Sequence, residues 1–260
     1  MRYCFIVACS DDRNHLLKRF IDSFKKNKLY SNADVFLYYQ GQNLPKEAED
    51  FFKDIVISPI LRGVFTPRYE LFKRFCMNYE FTILLDDDLF LYPDTSYEKA
   101  MAFLDFNENA GCCCISRHIA PLKNEIKCIS SKMGYYNVSG GMVFPKRAIK
   151  VILDYFKDKE DDYTEDVFWL LLYVKGFDLY QDFSSRAIHL YNQKDKNGNR
   201  TGFNKMRMTK PHKPILSEWF DSRLVYQEKY GMKVWQIKEL KDINSAGIAE
   251  RKRNYGKTKD

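Results

Sequence analysis

The sequence predicts an α/β fold, and three observations lead there. Short apolar runs of strand character alternate along the chain with amphipathic stretches of helical spacing. The composition is 45% hydrophobic, 30% charged and 16% aromatic over 260 residues, that of an ordinary globular protein with a sizeable core. One apolar run, FTILL at 81–85, stops abruptly on Asp86, Asp87 and Asp88, as a buried strand does on reaching the carboxyl edge of a sheet.

The elements follow in order. YCFIVAC reads as the first strand. NHLLKRFIDSFKKN is a helix, with Leu16, Leu17, Phe20, Ile21 and Phe24 on one face. ADVFLYYQ is a second strand, and TPRYELFKRFCMNY a helix that tolerates Pro67 in its first turn. After FTILL comes the helix TSYEKAMAFLDF, for which Thr95 and Glu98 form a capping box. GCCCIS is a strand, NVSGGMVFP a turn into another, and PKRAIKVILDYF and TEDVFWLLLYVKG are helices, the second closing at Gly176. DLYQD and RAIHLYN read as two short strands. Residues 193–214 lose periodicity and form a basic flexible loop. Residues 215–248 read as a helical extension packed on the preceding domain, and 249–260 as a disordered basic tail.

Several classes are disfavoured. No apolar run approaches the ~20 residues that span a bilayer, and the apolar start at 3–9 is too short for the core of a signal peptide. The seven cysteines are odd in number, and Cys112, Cys113 and Cys114 are adjacent, so their side chains alternate between faces of a strand. They form neither a disulfide framework nor a zinc site with Cys-x-x-Cys spacing, and a reducing, cytoplasmic setting is expected. The formal charge of +7 is concentrated late in the chain: residues 194–213 carry seven Lys/Arg against Asp195 alone. Attraction to phosphates belongs to that region.

Three adjacent carboxylates need an offset, since like charges about 4 Å apart repel by roughly 4 kcal/mol at an effective dielectric near 20. They lie too early to cap the next helix, which leaves solvent or a cation. Clustered carboxylate oxygens suit a hard ion, Mg²⁺ or Mn²⁺, which also accepts phosphate oxygens. Gly140 and Gly141 permit either a close backbone approach to a ligand or a positive φ, or mark an ordinary hairpin turn. Glu165 and Asp166 open a helix, where acids complement the dipole behind a Thr164 cap or serve as a general base.

The ordered motifs LRGVFTPRYELFKRF, FTILLDDDLFLYPD, YYNVSGGMVFPKRAI and YTEDVFWLLLYVKGFDLYQD together resemble nucleotide-sugar glycosyltransferases of the GT-A fold, in particular the large inverting family with an Asp-x-Asp motif. The resemblance covers roughly residues 3–192. It implies a Rossmann-like, open, twisted mixed sheet flanked by helices, forming a catalytic domain over 1–192 that binds a nucleotide-sugar (a UDP-sugar for preference) with Mn²⁺ or Mg²⁺. By the same resemblance Asp88 is the main metal ligand and Asp86 faces metal or ribose. His189 is the third ligand, while Arg68, Asp87, Gly140 and Gly141 lie on the donor side. Asp166 is the base that takes the acceptor proton, with Glu165 as the alternative. The first strand ends in ACSDD, a poorer match, where Ala8, Ser10 and Asp11 are candidate nucleotide contacts.

Lys194, Arg200, Lys205, Arg207 and Lys210 could close over the diphosphate or hold an anionic acceptor. The basic C-terminal third leans the acceptor toward nucleic acid, such as a hydroxymethylated DNA base, as in phage-type enzymes working in a host cytoplasm. A surface saccharide is the competing acceptor. A metal-dependent nucleotidyltransferase is the competing chemistry, although no Gly-rich phosphate loop is present. A non-catalytic binding protein is a third class.

Overall fold

The structure is a computed structural model that describes residues 1–117, 122–128, 141–158 and 167–189. Its first strand, β1 (Tyr3–Ser10), leads through a 3₁₀ turn at Asp11–Arg13 into α1 (Asn14–Lys26), and β2 (Asp34–Gln40) follows. A short α2 (Lys46–Glu49), β3 (Asp54–Ser58), α3 (Phe65–Arg74) and β4 (Phe81–Asp86) complete an N-terminal half. Beyond the aspartates come β5 (Leu89–Leu91), α4 (Glu98–Phe106), β6 (Ala110–Arg117), β7 (Ile126–Cys128), β8 (Met142–Pro145), α5 (Lys146–Phe156), α6 (Val167–Val174) and β9 (Asp178–His189).

The strands form one mixed sheet in the order β3-β2-β1-β4-β8-β6-β9-β5, with β7 pairing β9. β3, β2, β1 and β4 are mutually parallel; β8 runs antiparallel between β4 and β6, β9 runs parallel to β6, and β5 antiparallel to β9. The chain builds outward from β1 through β2 to β3, then crosses back to lay β4 on the other side of β1. That reversal creates a crevice at the carboxyl ends of β1 and β4, where Ala8 pairs with Asp86.

Helices cover both faces, because the strands carry apolar side chains alternately up and down. Phe5, Val7 and Cys9 of β1 join Leu17, Phe20, Ile21 and Phe24 of α1 and Ala100, Met101 and Leu104 of α4 in one core. Cys4 and Ile6 join Leu71 and Phe72 of α3, Ile149 and Ile152 of α5 and Leu171 and Leu172 of α6 in the other. Burying each large apolar side chain contributes roughly 1.5–3 kcal/mol. The adjacent cysteines split as a strand requires, Cys113 into the first core and Cys112 into the second. All seven cysteines are free thiols, and only Cys128 is not buried.

Some expectations need correction. Thr95 does not cap α4: its Oγ1 accepts from the Tyr92 amide at 2.7 Å and donates to the Arg186 carbonyl at 2.8 Å, tying the loop to β9. The helix starts three residues later, and the Glu98 amide donates to Ser96 Oγ at 3.2 Å. The two short strands read from DLYQD and RAIHLYN belong to one strand, β9. Its register against β6 jumps from Ile115–Asp182 to Ser116–Arg186, so Phe183, Ser184 and Ser185 form a bulge rather than a break. The short segments α2, β3, β5 and β7 were not anticipated at all. At the end of α6, Gly176 has φ +90°, the Lys175 amide donates to the Leu171 carbonyl and the Phe177 amide to the Leu172 carbonyl, a glycine-terminated helix end as expected. The predicted loop 193–214, helical extension 215–248 and tail 249–260 lie outside the described residues.

Candidate active site

Asp86 closes β4 and Leu89 opens β5, so the three carboxylates occupy a tight turn between two strands at the carboxyl edge of the sheet. Their side chains are unequally exposed, Asp86 at 30%, Asp87 at 5% and Asp88 at 15%. Two buried arginines approach from opposite sides. Arg13, in the connection after β1, donates from Nε to both oxygens of Asp87 at 3.0 and 2.7 Å and from Nη2 to Asp87 Oδ1 at 2.5 Å. The same Nη2 lies 3.1 Å from Asp88 Oδ2. Arg68, in α3, donates from Nη1 to the Val64 carbonyl at 2.9 Å and from Nη2 to Asp86 Oδ1 at 2.5 Å.

Two guanidiniums thus lie against the three carboxylates of the turn. Burial works against the Arg13 charge, but the Asp87 and Asp88 carboxylates outweigh it and raise the guanidinium's pKa further. The Cys9 thiol is pushed well up, first by burial and then by the neighbouring Asp87 charge. Asp87, expected on the donor side, is thus enclosed between Arg13 and Cys9. Arg13 escaped the sequence reading. The signal was present: a buried aspartate demands a counter-charge, and SDDR places an arginine at the end of the strand next to FTILLD.

The rest of the β1 edge is internally bonded. Ser10 Oγ donates to Asp12 Oδ1 at 2.6 Å. Asp11, read as a nucleotide contact, accepts from the Tyr39 hydroxyl at 2.5 Å and from the Gln42 and Asn43 amides at 3.1 and 3.0 Å. Its carboxylate organises the loop after β2. Burial pushes the Asp11 pKa up, yet these hydrogen bonds outweigh it and hold the carboxyl below its usual value. Gly41 is required there, because a Cβ would lie 2.1 Å from Asp11 Cγ. Ala8 sits one strand away from Asp86 by register.

Gly141 has φ +94°, and a Cβ on it would come within 2.6 Å of both Leu85 Cδ2 and the Tyr97 hydroxyl. Its close approach is therefore to the residue immediately before Asp86. Arg147, in the basic part of the same motif, donates to the carbonyls of Leu104, Asn107, Ala110 and Glu108, tying off the C-terminus of α4. The backbone of His189 pairs with Leu89, one residue beyond Asp88. Gly140, Glu165, Asp166, Lys194, Arg200, Lys205, Arg207 and Lys210 lie outside the described residues. The start of α6 nevertheless lies close: Phe168, two residues past Asp166, stacks at 5.1 Å on Phe65, three before Arg68. Among the described residues, no group of three or more His, Cys, Asp and Glu side chains is arranged to hold a metal. No described helix is long and apolar enough to cross a membrane.

This architecture, a mixed sheet with its crevice at the β1–β4 reversal, is a GT-A-like fold. S. aureus TarS residues 1–349 in complex with UDP-GlcNAc is similar at a TM-score of 0.57 and 12% identity, covering 95% of this chain and 72% of that one. Another structure of S. aureus TarS residues 1–349 gives 0.53 at 12% identity, and the complex with UDP 0.53 at 13%, each covering 72% of this chain. In these two comparisons the chain spans 59% of the TarS fragment. At such identities the likeness is one of fold. No protein-family model and no curated protein sequence matches the chain.

Proposed function

We propose that this chain is a metal-dependent glycosyltransferase that moves a sugar from a nucleotide-sugar, a UDP-sugar for preference, to an acceptor hydroxyl. The observation that carries the reading is the Asp86–Asp88 turn. It stands at the crevice where open α/β sheets bind ligands, and two buried arginines hold its carboxylates in place. The UDP and UDP-GlcNAc complexes of TarS support a nucleotide-sugar donor.

The donor set fits a hard cation. Asp86 and Asp88, whose carboxylates are partly exposed, would hold Mg²⁺ or Mn²⁺, ions that favour oxygen ligands. His189 would supply an imidazole, since its backbone stands opposite Leu89. When bound, such an ion neutralises charge developing on the diphosphate leaving group. Arg68 lies against Asp86 and would face the nucleotide from the α3 side. Asp166 would accept the proton of the attacking hydroxyl, with inversion at the anomeric carbon, and Glu165 is its neighbour in reserve. The Phe168–Phe65 contact favours that role by bringing the start of α6 toward Arg68.

Lys194, Arg200, Lys205, Arg207 and Lys210 supply positive charge for the diphosphate or an anionic acceptor. Because the chain's excess charge lies there, the acceptor reading is a hydroxymethylated base in DNA. The test is a screen of nucleotide-sugars for hydrolysis and binding with Mn²⁺ or Mg²⁺, comparing the native chain with Asp88→Ala. Donor-dependent turnover lost in Asp88→Ala supports the reading, and no turnover or binding with any donor sinks it. Incubation with hydroxymethylated and with plain DNA, followed by mass analysis of the bases, decides the acceptor. A saccharide glycosylated in place of DNA would overturn that part.

A further inference from the structure

We infer that Arg13 is a positioning residue for the cation-facing carboxylates, holding Asp88 in place through the buried Asp87; this rests on the glycosyltransferase reading. Both Arg13 and Asp87 are almost wholly buried, with side chains 7% and 5% exposed. Arg13 grips Asp87 with two nitrogens across 74 residues of sequence, and its Nη2 reaches Asp88 as well. One planar group thereby fixes two consecutive carboxylates relative to the end of β1. A turn of three like charges has no internal reason to keep one shape, since its carboxylates repel one another. The guanidinium supplies the constraint, because its rigid fork dictates where each oxygen lies. Asp87 is an anchor rather than a ligand, more deeply buried than Asp86 and Asp88. The arrangement gives a role to the third aspartate beside the two more exposed ones.

Arg13→Lys separates geometry from charge: lysine keeps the positive charge beside Asp87 but lacks the planar fork. Asp87→Asn is nearly isosteric and removes the anchoring charge, so the guanidinium is drawn further onto Asp88. Both changes act in the same direction. The experiment measures Mn²⁺ affinity of the free protein by electron paramagnetic resonance, with no donor present, beside UDP affinity and the thermal midpoint.

Partners that orient metal ligands alter affinity by about 10- to 100-fold. We expect Mn²⁺ affinity to fall about tenfold in each variant, with a broadened Mn²⁺ spectrum, in protein that remains folded by near-ultraviolet circular dichroism. A folded Arg13→Lys with native Mn²⁺ affinity and spectrum overturns the positioning role and leaves the glycosyltransferase reading intact. If Arg13→Lys does not fold, Asp87→Asn carries the same test with the same outcomes. A native chain that binds neither Mn²⁺ nor UDP overturns the glycosyltransferase reading and this inference with it.

Discussion

Replacing Gly141 by alanine should damage the candidate site from within the core. Two costs add. At φ +94° an L-residue is strained by roughly 1–2 kcal/mol. The new methyl would also lie 2.6 Å from Leu85 Cδ2 and from the Tyr97 hydroxyl, about 1 Å inside normal contact, and overpacking of this kind costs roughly 1–3 kcal/mol. Neither neighbour can retreat easily. Leu85 and Tyr97 are fully buried, and the Tyr97 ring packs against Phe5 and Tyr30. Reduced freedom of the unfolded chain returns about 0.4–1 kcal/mol, so the net loss is roughly 1–5 kcal/mol.

For a chain of this size, that loss lowers the thermal midpoint by roughly 2–20 °C. Leu85 can yield only by shifting the end of β4, so donor affinity should fall as well. Gly63→Ala is the internal control: φ is +80°, but nothing lies within 4 Å of the added methyl, so it reports backbone strain alone. Differential scanning fluorimetry and UDP titration on both variants make the comparison. A Gly141→Ala protein no less stable than Gly63→Ala, with native UDP affinity, would refute the packing argument.

Other expectations follow from the same geometry. Asp88→Ala should reduce donor turnover by at least about 100-fold with a far smaller change in thermal midpoint, because Asp88 is the partly exposed partner of Arg13 and Asp87 still neutralises it. Arg147→Met should destabilise by about 2 kcal/mol, measured by urea unfolding, since four carbonyls around the end of α4 lose their donor. Asp11 titrates below its ordinary carboxylate value when folded, so its contribution is complete above about pH 4 and disappears as pH falls through the lower folded value. Asp11→Asn should therefore flatten the acid limb of stability below about pH 4, measured by urea midpoints at successive pH values. Ellman's reagent should label Cys128 rapidly in the native protein and the six buried thiols only after unfolding.

Much of the fold was legible because its strongest signals are local. The α1 stripe, the apolar β1, β2 and β4, and the abrupt FTILL-to-aspartate transition each lie within a dozen residues, and each forms the expected element. The elements missed, α2, β3, β5 and β7, are only three to five residues long, and β5 owes its strand geometry to pairing with β9 about 100 residues away. The Thr95 cap failed for a similar reason: the hydroxyl found partners at Tyr92 and, through the distant Arg186, in β9. At the site, Asp87 is the most buried of the three aspartates, and it lies with Asp88 in the turn beyond β4 rather than in a strand. Arg13 was hidden because the ion pair joins residues that meet only when β1 and β4 lie side by side. Asp11 looked like a ligand contact in sequence, and only the folded loop shows its oxygens accepting from Tyr39, Gln42 and Asn43.

The order of these partners along the chain bears on how the protein is made. Arg13 and Arg68 both precede the aspartates they hold, so during synthesis the carboxylates emerge after their counter-ions are already available. The strand that receives β5 comes much later, when β9 appears. The nascent chain can therefore neutralise its acidic turn early, within a parallel β3-β2-β1-β4 half, while the wall of the crevice beyond Leu89 awaits long-range closure. Ribosome-bound chains arrested soon after α4 should protect the amides of β1 and β4 from exchange but leave those of β5 open.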